Sequence, residues 1–323
     1  MAIPPTPVEM SNPVYHDENA ARRHLEAVRW SDGVICPLCG AKEDARPVDG
    51  ESMGAGWFYC PACKSKFTVR TGTVWERSHI PLHKWLLASR LMASSKKGIS
   101  AHQLHRTLNI TYKSAWFLAH RIREAMKDDS GAPLGGPGKV LEADETLYGK
   151  GEIEVTEQKK VRRRPGTAGM QKVMTLVERG GPARSIVADH LTAKDVQDFL
   201  KKNASGASEL NTDESNLYPK AGERFFDHRT VNHGKGEYAR NKGDGLVTTN
   251  SAEGYFSIFK RGMVGVYQYC GEQHLHRYVA EFDFRYSNRI KLGVDDAERT
   301  TRTLRGAEGK RLTYRGIGVR KAA

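Results

Sequence analysis

The sequence predicts an α/β chain in which small N-terminal units precede a larger sheet domain. Three observations predict it. Four cysteines stand in two close pairs within the Gly-rich stretch 34–72. Helical periodicity with few breakers runs through residues 80–127. From Lys139 the pattern turns to short apolar strands and then alternates helix with strand, the order of an α/β fold. At 323 residues the chain is also longer than one ordinary domain.

The predicted divisions are a helical segment over 1–33, a cysteine ribbon over 34–72, a helical region over 73–127, a linker over 128–138, an α/β domain over 139–290 and a basic tail over 291–323. One helix is expected around Glu18 to Trp30. DDSGAPLGGPG, from Asp128, is rich in turn residues and marks the linker. KVLEADETLYG, QKVMTLVERG and RSIVAD read as strands, the last two split by Gly and Pro turn signals. TAKDVQDFLKKN reads as a helix capped by Thr192, and SELNTDES as a short strand ending in acids. Further helices are expected from Asn250 and over 272–289. EQKKVRRRPGTAG is expected as a mobile basic loop, and the tail after Arg289 as partly disordered.

The net charge is +13 and the isoelectric point is about 9.5. A chain of this charge attracts polyanions, because each Lys or Arg that meets a phosphate releases condensed counterions. Nucleic acid is the favoured partner, ahead of an acidic membrane surface. MAIPPTPVEM lacks the basic start and apolar run of a signal peptide, and no stretch approaches the roughly 18 apolar residues of a membrane helix. A cytoplasmic location, with reduced thiols, is expected.

The paired cysteines are Cys36 and Cys39 in CPLCG and Cys60 and Cys63 in CPAC, spaced C-x2-C-x20-C-x2-C. Each tight turn offers two thiolates, and two turns complete a tetrahedron around Zn2+. A redox C-x-x-C site is the rival, but it needs no second pair. Four cysteines leave no open position for water, so the zinc would be structural. Tyr59 and Phe67 are expected as the ribbon's small core, with Lys64, Lys66 and Arg70 available for phosphates. Cys270 stands apart as a buried or incidental thiol.

GISAHQLHRTLNITYKSAWFLAHRIREAM, from Gly98, fits a helix-turn-helix. Ser100 caps a first helix, Asn109 suits a left-handed turn and Thr111 caps a second helix. The exposed face would offer Tyr112, Lys113, His120 and Arg121 to DNA. An ordinary helical hairpin with a basic face is the alternative. Trp85, Leu86 and Met92 in the preceding helix are expected as packing residues.

Three acids stand at informative places: Asp144 within a strand, Asp213 at a strand end and Glu253 at the start of a helix. Such acids can converge at one sheet edge, and hard Mg2+ ions take oxygen ligands. Lys260 follows Glu253 by two helical turns and shares its face, with Arg261 beside it. A cation there can hold a phosphate backbone. Glu145 and Asp189 are rival acids. Asn250 and Glu253 also approximate a capping box, so Glu253 is open to a purely structural role. The expected arrangement has Asn250 capping alone and Glu253 facing metal.

Taken in order, CPLCG, YCPACKSKFTVRTGTVWERSHIPLHKW, the helix-turn-helix stretch, VLEADETLYGKG, TDESNLYP, VNHGKGEY and TNSAEGYFSIFKRGMVGVYQYCGEQHLHRYVAEFDFRYSNR resemble one family. It is that of the bacterial insertion-sequence transposases of the ISXO type, which join an N-terminal zinc ribbon to an integrase-type DDE domain. The resemblance covers roughly residues 15–290. It implies an RNase H-like fold for the second half, with Asp144, Asp213 and Glu253 as ligands of a pair of catalytic Mg2+ ions and Lys260 as a base in DNA contact. The third acid position varies in this group, so Asn250 competes with Glu253. Tyr255-Phe256 stands where a Trp is expected, and YQYCGE replaces a more His-rich stretch. His233 is a candidate for orienting DNA.

The resemblance implies a DNA transposase acting on double-stranded element ends and target, nucleoid-associated and assembled as a homodimer or larger. A zinc-ribbon and helix-turn-helix regulator without catalysis, and an RNase H-like nuclease that cuts without strand transfer, are the alternatives.

Overall fold

The Asp17 side chain accepts from the Ala20 amide at 2.7 Å and starts helix α1, Glu18–Arg29. Its inner stripe is Ala21, Leu25 and Val28. Strands β1 (Arg46–Pro47), β2 (Trp57–Cys60) and β3 (Ser65–Thr68) follow as an antiparallel sheet in that order. Period-2 alternation turns Phe58 and Cys60 inward and Trp57 and Tyr59 outward. The ribbon core is therefore Phe58, not Tyr59, stacked on Phe67 with centroids 5.7 Å apart, and Trp30 set edge-on to both at 5.1 and 5.9 Å.

Helices α2 (Leu82–Ser94), α3 (Ala101–Leu108) and α4 (Tyr112–Met126) complete the helical region. The local signals worked as read. Ser100 accepts from the Gln103 amide at 3.1 Å, Asn109 is left-handed at φ 47° and ψ 58°, and Thr111 accepts from the Ser114 amide at 3.2 Å. Trp85, Leu86 and Met92 of α2 are buried, as are Leu104, Leu108, Leu118 and Ile122.

The computed structural model describes residues 5–42, 45–48, 53–149, 153–155, 161–163, 169–242 and 245–313. They fall into two units, residues 1–127 with 293–323, and residues 128–292. The expected disordered tail is thus corrected over part of its length. Asp296–Arg305 is a helix capped by Asp295, which accepts from the Glu298 amide at 2.8 Å. It packs on α2 within the first unit, and Arg299 donates to the Ala93 carbonyl at 3.2 Å. Its buried face is largely Thr and Arg, so no apolar stripe announced it. Residues 314–323 lie outside the described residues.

In the second unit, β4 (Val140–Tyr148), a small antiparallel pair β5 (Ile153–Val155) and β6 (Val161–Arg163), β7 (Gln171–Glu178) and β8 (Ala183–Ala188) come first. β6 falls within the stretch expected as a basic loop; the remainder of that stretch, apart from its final Gly169, lies outside the described residues. Helix α5 (Ala193–Asn203) then leads to β9 (Glu209–Thr212), the short α6 (Pro219–Gly222) and β10 (Asp227–Thr230). Thr192 caps α5 in a capping box with Asp195. A hairpin of β11 (Ala239–Lys242) and β12 (Gly245–Thr248), unannounced by its polar sequence, leads into α7 (Asn250–Gly262) and α8 (Glu272–Ser287).

The main sheet runs β10-β9-β4-β7-β8. β4, β7 and β8 form an antiparallel meander, while β9 is parallel to β4 and β10 to β9. Alternation splits the sheet's side chains between two cores. Leu141, Ala143, Met174, Leu176 and Leu210 pack with α5 on one face. Val173 and Val177 pack with α7 and α8 on the other, around Phe256, Phe259, Leu275 and Phe282. Phe259 is fully buried there. Phe259→Ala is expected to lower unfolding stability by about 3–5 kcal/mol in urea titrations.

Candidate active site and cysteine cluster

The two knuckles bring Cys36, Cys39, Cys60 and Cys63 together, with all four sulfurs within 4.8 Å of one another. Cys36 Sγ lies 3.7 Å from Cys63 Sγ, and Cys39 Sγ lies 3.7 Å from Cys60 Sγ. A tetrahedron with Zn–S bonds of about 2.3 Å has edges of about 3.8 Å, so the residues fit the ion. No fifth donor is needed, which makes the site structural. Cys270 is half-buried against the α7–α8 core and donates to the Gly271 carbonyl.

In the second unit the register sets the acids. Glu142 is level with Asn211 across the parallel β4–β9 pair. Asp144 stands two residues beyond Glu142, and Asp213 two beyond Asn211. The two aspartates are therefore level at neighbouring points on one sheet edge. Asp144 Oδ1 accepts from the Glu145 amide at 2.7 Å, and Asp213 Oδ1 from the Ser215 amide at 3.0 Å. Burial, with Asp213, Glu145 and Glu253 as nearby negative charges, lifts the Asp144 carboxyl to about 7. Burial also raises Asp213, partly offset by the hydrogen bond from the Ser215 amide. These are carboxylates that a cation would bring back to full ionisation.

Glu253 occupies the first turn of α7. The expected cap at Asn250 is not formed: Asn250 is the first helical residue and is exposed. The helix start is held instead by Glu142. Its wholly buried carboxylate accepts from the Ser251 amide at 2.6 Å, the Ala252 amide at 3.3 Å and the Ser251 hydroxyl at 3.0 Å. Glu253 is thereby released from capping. Its Oε1 accepts from the Thr249 hydroxyl at 3.2 Å and lies 3.6 Å from His233 Nε2. The acids surround one sheet edge, yet among the described residues only the four cysteines already have their ligand atoms drawn to a common point.

The His233 loop is pinned by the neighbour of Asp213. Glu214 accepts from the amides of His233 and Gly234, both at 2.9 Å. Its own amide together with those two holds Glu214 below the usual carboxylate range. Sequence reasoning missed Glu142, Thr249 and Glu214. Only Glu142 left a trace, as the acid two residues before Asp144 and so on the same strand face. Of the rivals, Glu145 turns to the Tyr218 hydroxyl and to Ser215, and Asp189 stands past edge strand β8, with β7 between it and β4. Lys260 and Arg261 are exposed on α7, with Arg261 donating to Ser257. Tyr255 is buried, and its hydroxyl donates to Asp283 at 2.6 Å.

On α4 the expected DNA face is corrected at two positions. His120 is 1% exposed and its ring packs edge-on against Trp116. Arg121 is half-buried and donates to the carbonyls of Leu312 and Glu76 at 3.1 and 3.2 Å. Both lie beyond the first turn, where α4 enters the core. Tyr112 and Lys113, in that first turn, are exposed, and His102 stacks on Tyr112. Arg70, expected among the phosphate contacts, is engaged by the Ser78 and Ile80 carbonyls and by Glu18.

Comparison with known families bears directly on this geometry. Residues 133–287 match the ISXO2-like transposase domain, and residues 16–66 match the transposase zinc-ribbon domain. The chain thus matches both a transposase domain and a transposase zinc ribbon. The transposase domain spans the strand that bears Asp144 and the helix that bears Glu253. The zinc-ribbon match includes all four cysteines, in accord with structural zinc. A Halobacterium salinarum protein described as an uncharacterized protein in transposable element ISH50 is 27% identical over 280 residues, covering 83% of this chain and 90% of its own length. Among the described residues, no helix is long and apolar enough to cross a membrane.

Proposed function

We propose that this transposase binds the ends of its insertion sequence and carries out metal-dependent DNA strand cleavage and strand transfer. The observation that carries the reading is the placement of Asp144 and Asp213 level on adjacent parallel strands, with Glu253 on the helix fastened to the same strand. The strand order β8-β7-β4-β9-β10, three antiparallel strands followed by two parallel ones, supports an RNase H-like, integrase-type catalytic domain.

Asp144, Asp213 and Glu253 would hold Mg2+, the oxygen-donor set that a hard cation takes. When bound, Mg2+ activates the attacking hydroxyl and neutralises charge on the phosphate. Lys260, two turns from Glu253, meets the phosphate backbone entering the site, with Arg261 beside it. Tyr112 and Lys113 open the second helix of the helix-turn-helix, the part of such a helix that approaches the major groove. Lys113→Ala is expected to weaken binding to all duplexes alike and to reduce the salt slope by about 1, read from titrations across salt concentrations. Joining two ends calls for a homodimer or larger assembly on double-stranded DNA, acting at the nucleoid.

The test is a reaction of the protein with Mg2+, a duplex carrying the element's ends and a separate target duplex. Joined end-target product is the expected result. Cleavage without joining would reduce the reading to a nuclease, and binding without cleavage to a regulator.

A further inference from the structure

We infer that the ion pair between buried Glu142 and partly exposed Arg179 is a positioning device that sets Glu253 against Asp144. The inference rests on the metal-site reading above. Glu142 and Asp144 share one strand and, by alternation, one face of it. Glu142 takes the Ser251 and Ala252 amides of the first turn of α7, so the strand that bears one acid grips the helix that bears another. A lone carboxylate at a helix N-terminus would be an ordinary cap. Here the carboxylate is wholly buried and is paired with Arg179, whose Nε lies 2.9 Å from Glu142 Oε1.

Arg179 extends the grip. Its guanidinium also donates to the Leu246 carbonyl at 2.8 Å and the Thr248 carbonyl at 3.4 Å. Those carbonyls belong to β12, the strand that runs directly into α7. Asn211 on β9 donates to the same Thr248 carbonyl at 3.5 Å. The ion pair fastens the approach to the helix and the helix start to the strand that presents Asp144, and Asn211 ties the same approach to the strand that leads to Asp213. With the Ser251 and Ala252 amides on Glu142 and the Asn250 amide on the Thr248 hydroxyl, the Glu253 carboxylate is available to the acid cluster. Neither Glu142 nor Arg179 touches DNA or metal in this account; both act through the placement of Glu253.

The test uses zinc-loaded full-length protein and Mn2+ as the probe, with free Mn2+ read by electron paramagnetic resonance and folding by thermal unfolding. Glu253→Gln is the reference. Glu142→Gln is expected to weaken Mn2+ binding at least tenfold. Arg179→Gln, at a partly exposed position, is expected to weaken it at least threefold and serves if Glu142→Gln does not fold. The Glu142→Gln, Glu253→Gln double variant is expected to bind within twofold of Glu253→Gln alone, because Glu142 acts only through Glu253. Folded Glu142→Gln or Arg179→Gln protein that binds Mn2+ like the wild type, beside a weakened Glu253→Gln, overturns the inference. So does an undiminished effect of Glu142→Gln in the Glu253→Gln background. Wild-type Mn2+ binding by Glu253→Gln would instead remove the metal-site reading itself.

Discussion

Asp144→Asn is expected to lower Mg2+-dependent nicking of element-end DNA about a thousandfold while making the Mg2+-free protein more stable at neutral pH. The loss follows from removing one oxyanion from the set that would hold the cation, at a cost of several kcal/mol in charge stabilisation. The gain follows from the same burial. Asp144 titrates at about 7 in the folded chain, above its ordinary 3.8. The folded state therefore holds the proton more tightly than the unfolded state does. Stability from this group is greatest below about pH 4, falls as the carboxyl ionises between about pH 4 and 7, and stays low above. At about 1.4 kcal/mol per pH unit, the asparagine variant regains up to about 4 kcal/mol above pH 7. Urea unfolding of the zinc-loaded protein without added Mg2+, from pH 4 to 8, reads the difference, which should vanish at the acid end. Added Mg2+ should raise the melting temperature of the wild type and leave that of the variant unmoved. Unchanged nicking by Asp144→Asn would remove this residue from the site.

Replacing Cys36 and Cys60 together by serine is expected to release one equivalent of zinc and unfold the ribbon. Among the described residues the large side chains of the ribbon's core are Trp30, Phe58 and Phe67, too little apolar area to hold a fold without its metal. Structural zinc supplies about 10–16 kcal/mol of apparent binding energy in comparable peptides, which here is folding energy. Metal analysis should fall from one equivalent to none, and amide exchange over Trp57–Thr68 should rise to unprotected rates. The sheet unit has its own cores on both faces and should keep its protection. Retention of the full zinc equivalent would refute the ribbon assignment.

Much of the chain was legible because its signals are local. The C-x2-C turns, the Ser100, Thr111 and Thr192 caps and the left-handed Asn109 each depend on residues a few positions apart. The acids were readable as a set only through their order along the chain; their level placement depends on the pairing of β4 with β9. The Asp295 and Glu298 spacing could have announced the C-terminal helix, but the buried threonines hid its inner face.

The sequence by itself determined the cysteine knuckles, the helix boundaries around 100–126 and the alternation of strand and helix after Lys139, because turn, cap and period are short-range physics. Only the tertiary structure decided that Phe58 rather than Tyr59 fills the ribbon, that His120 and Arg121 turn into the first unit, and that Glu142 rather than Asn250 holds the start of α7. Each of these depends on which surfaces meet. Glu142 and Ser251 are 109 residues apart, and no spacing rule links a strand carboxylate to a distant helix end. That contact answers what Glu253 does at the start of its helix: with the amides already taken, its carboxylate turns to Thr249 and His233 beside the aspartates.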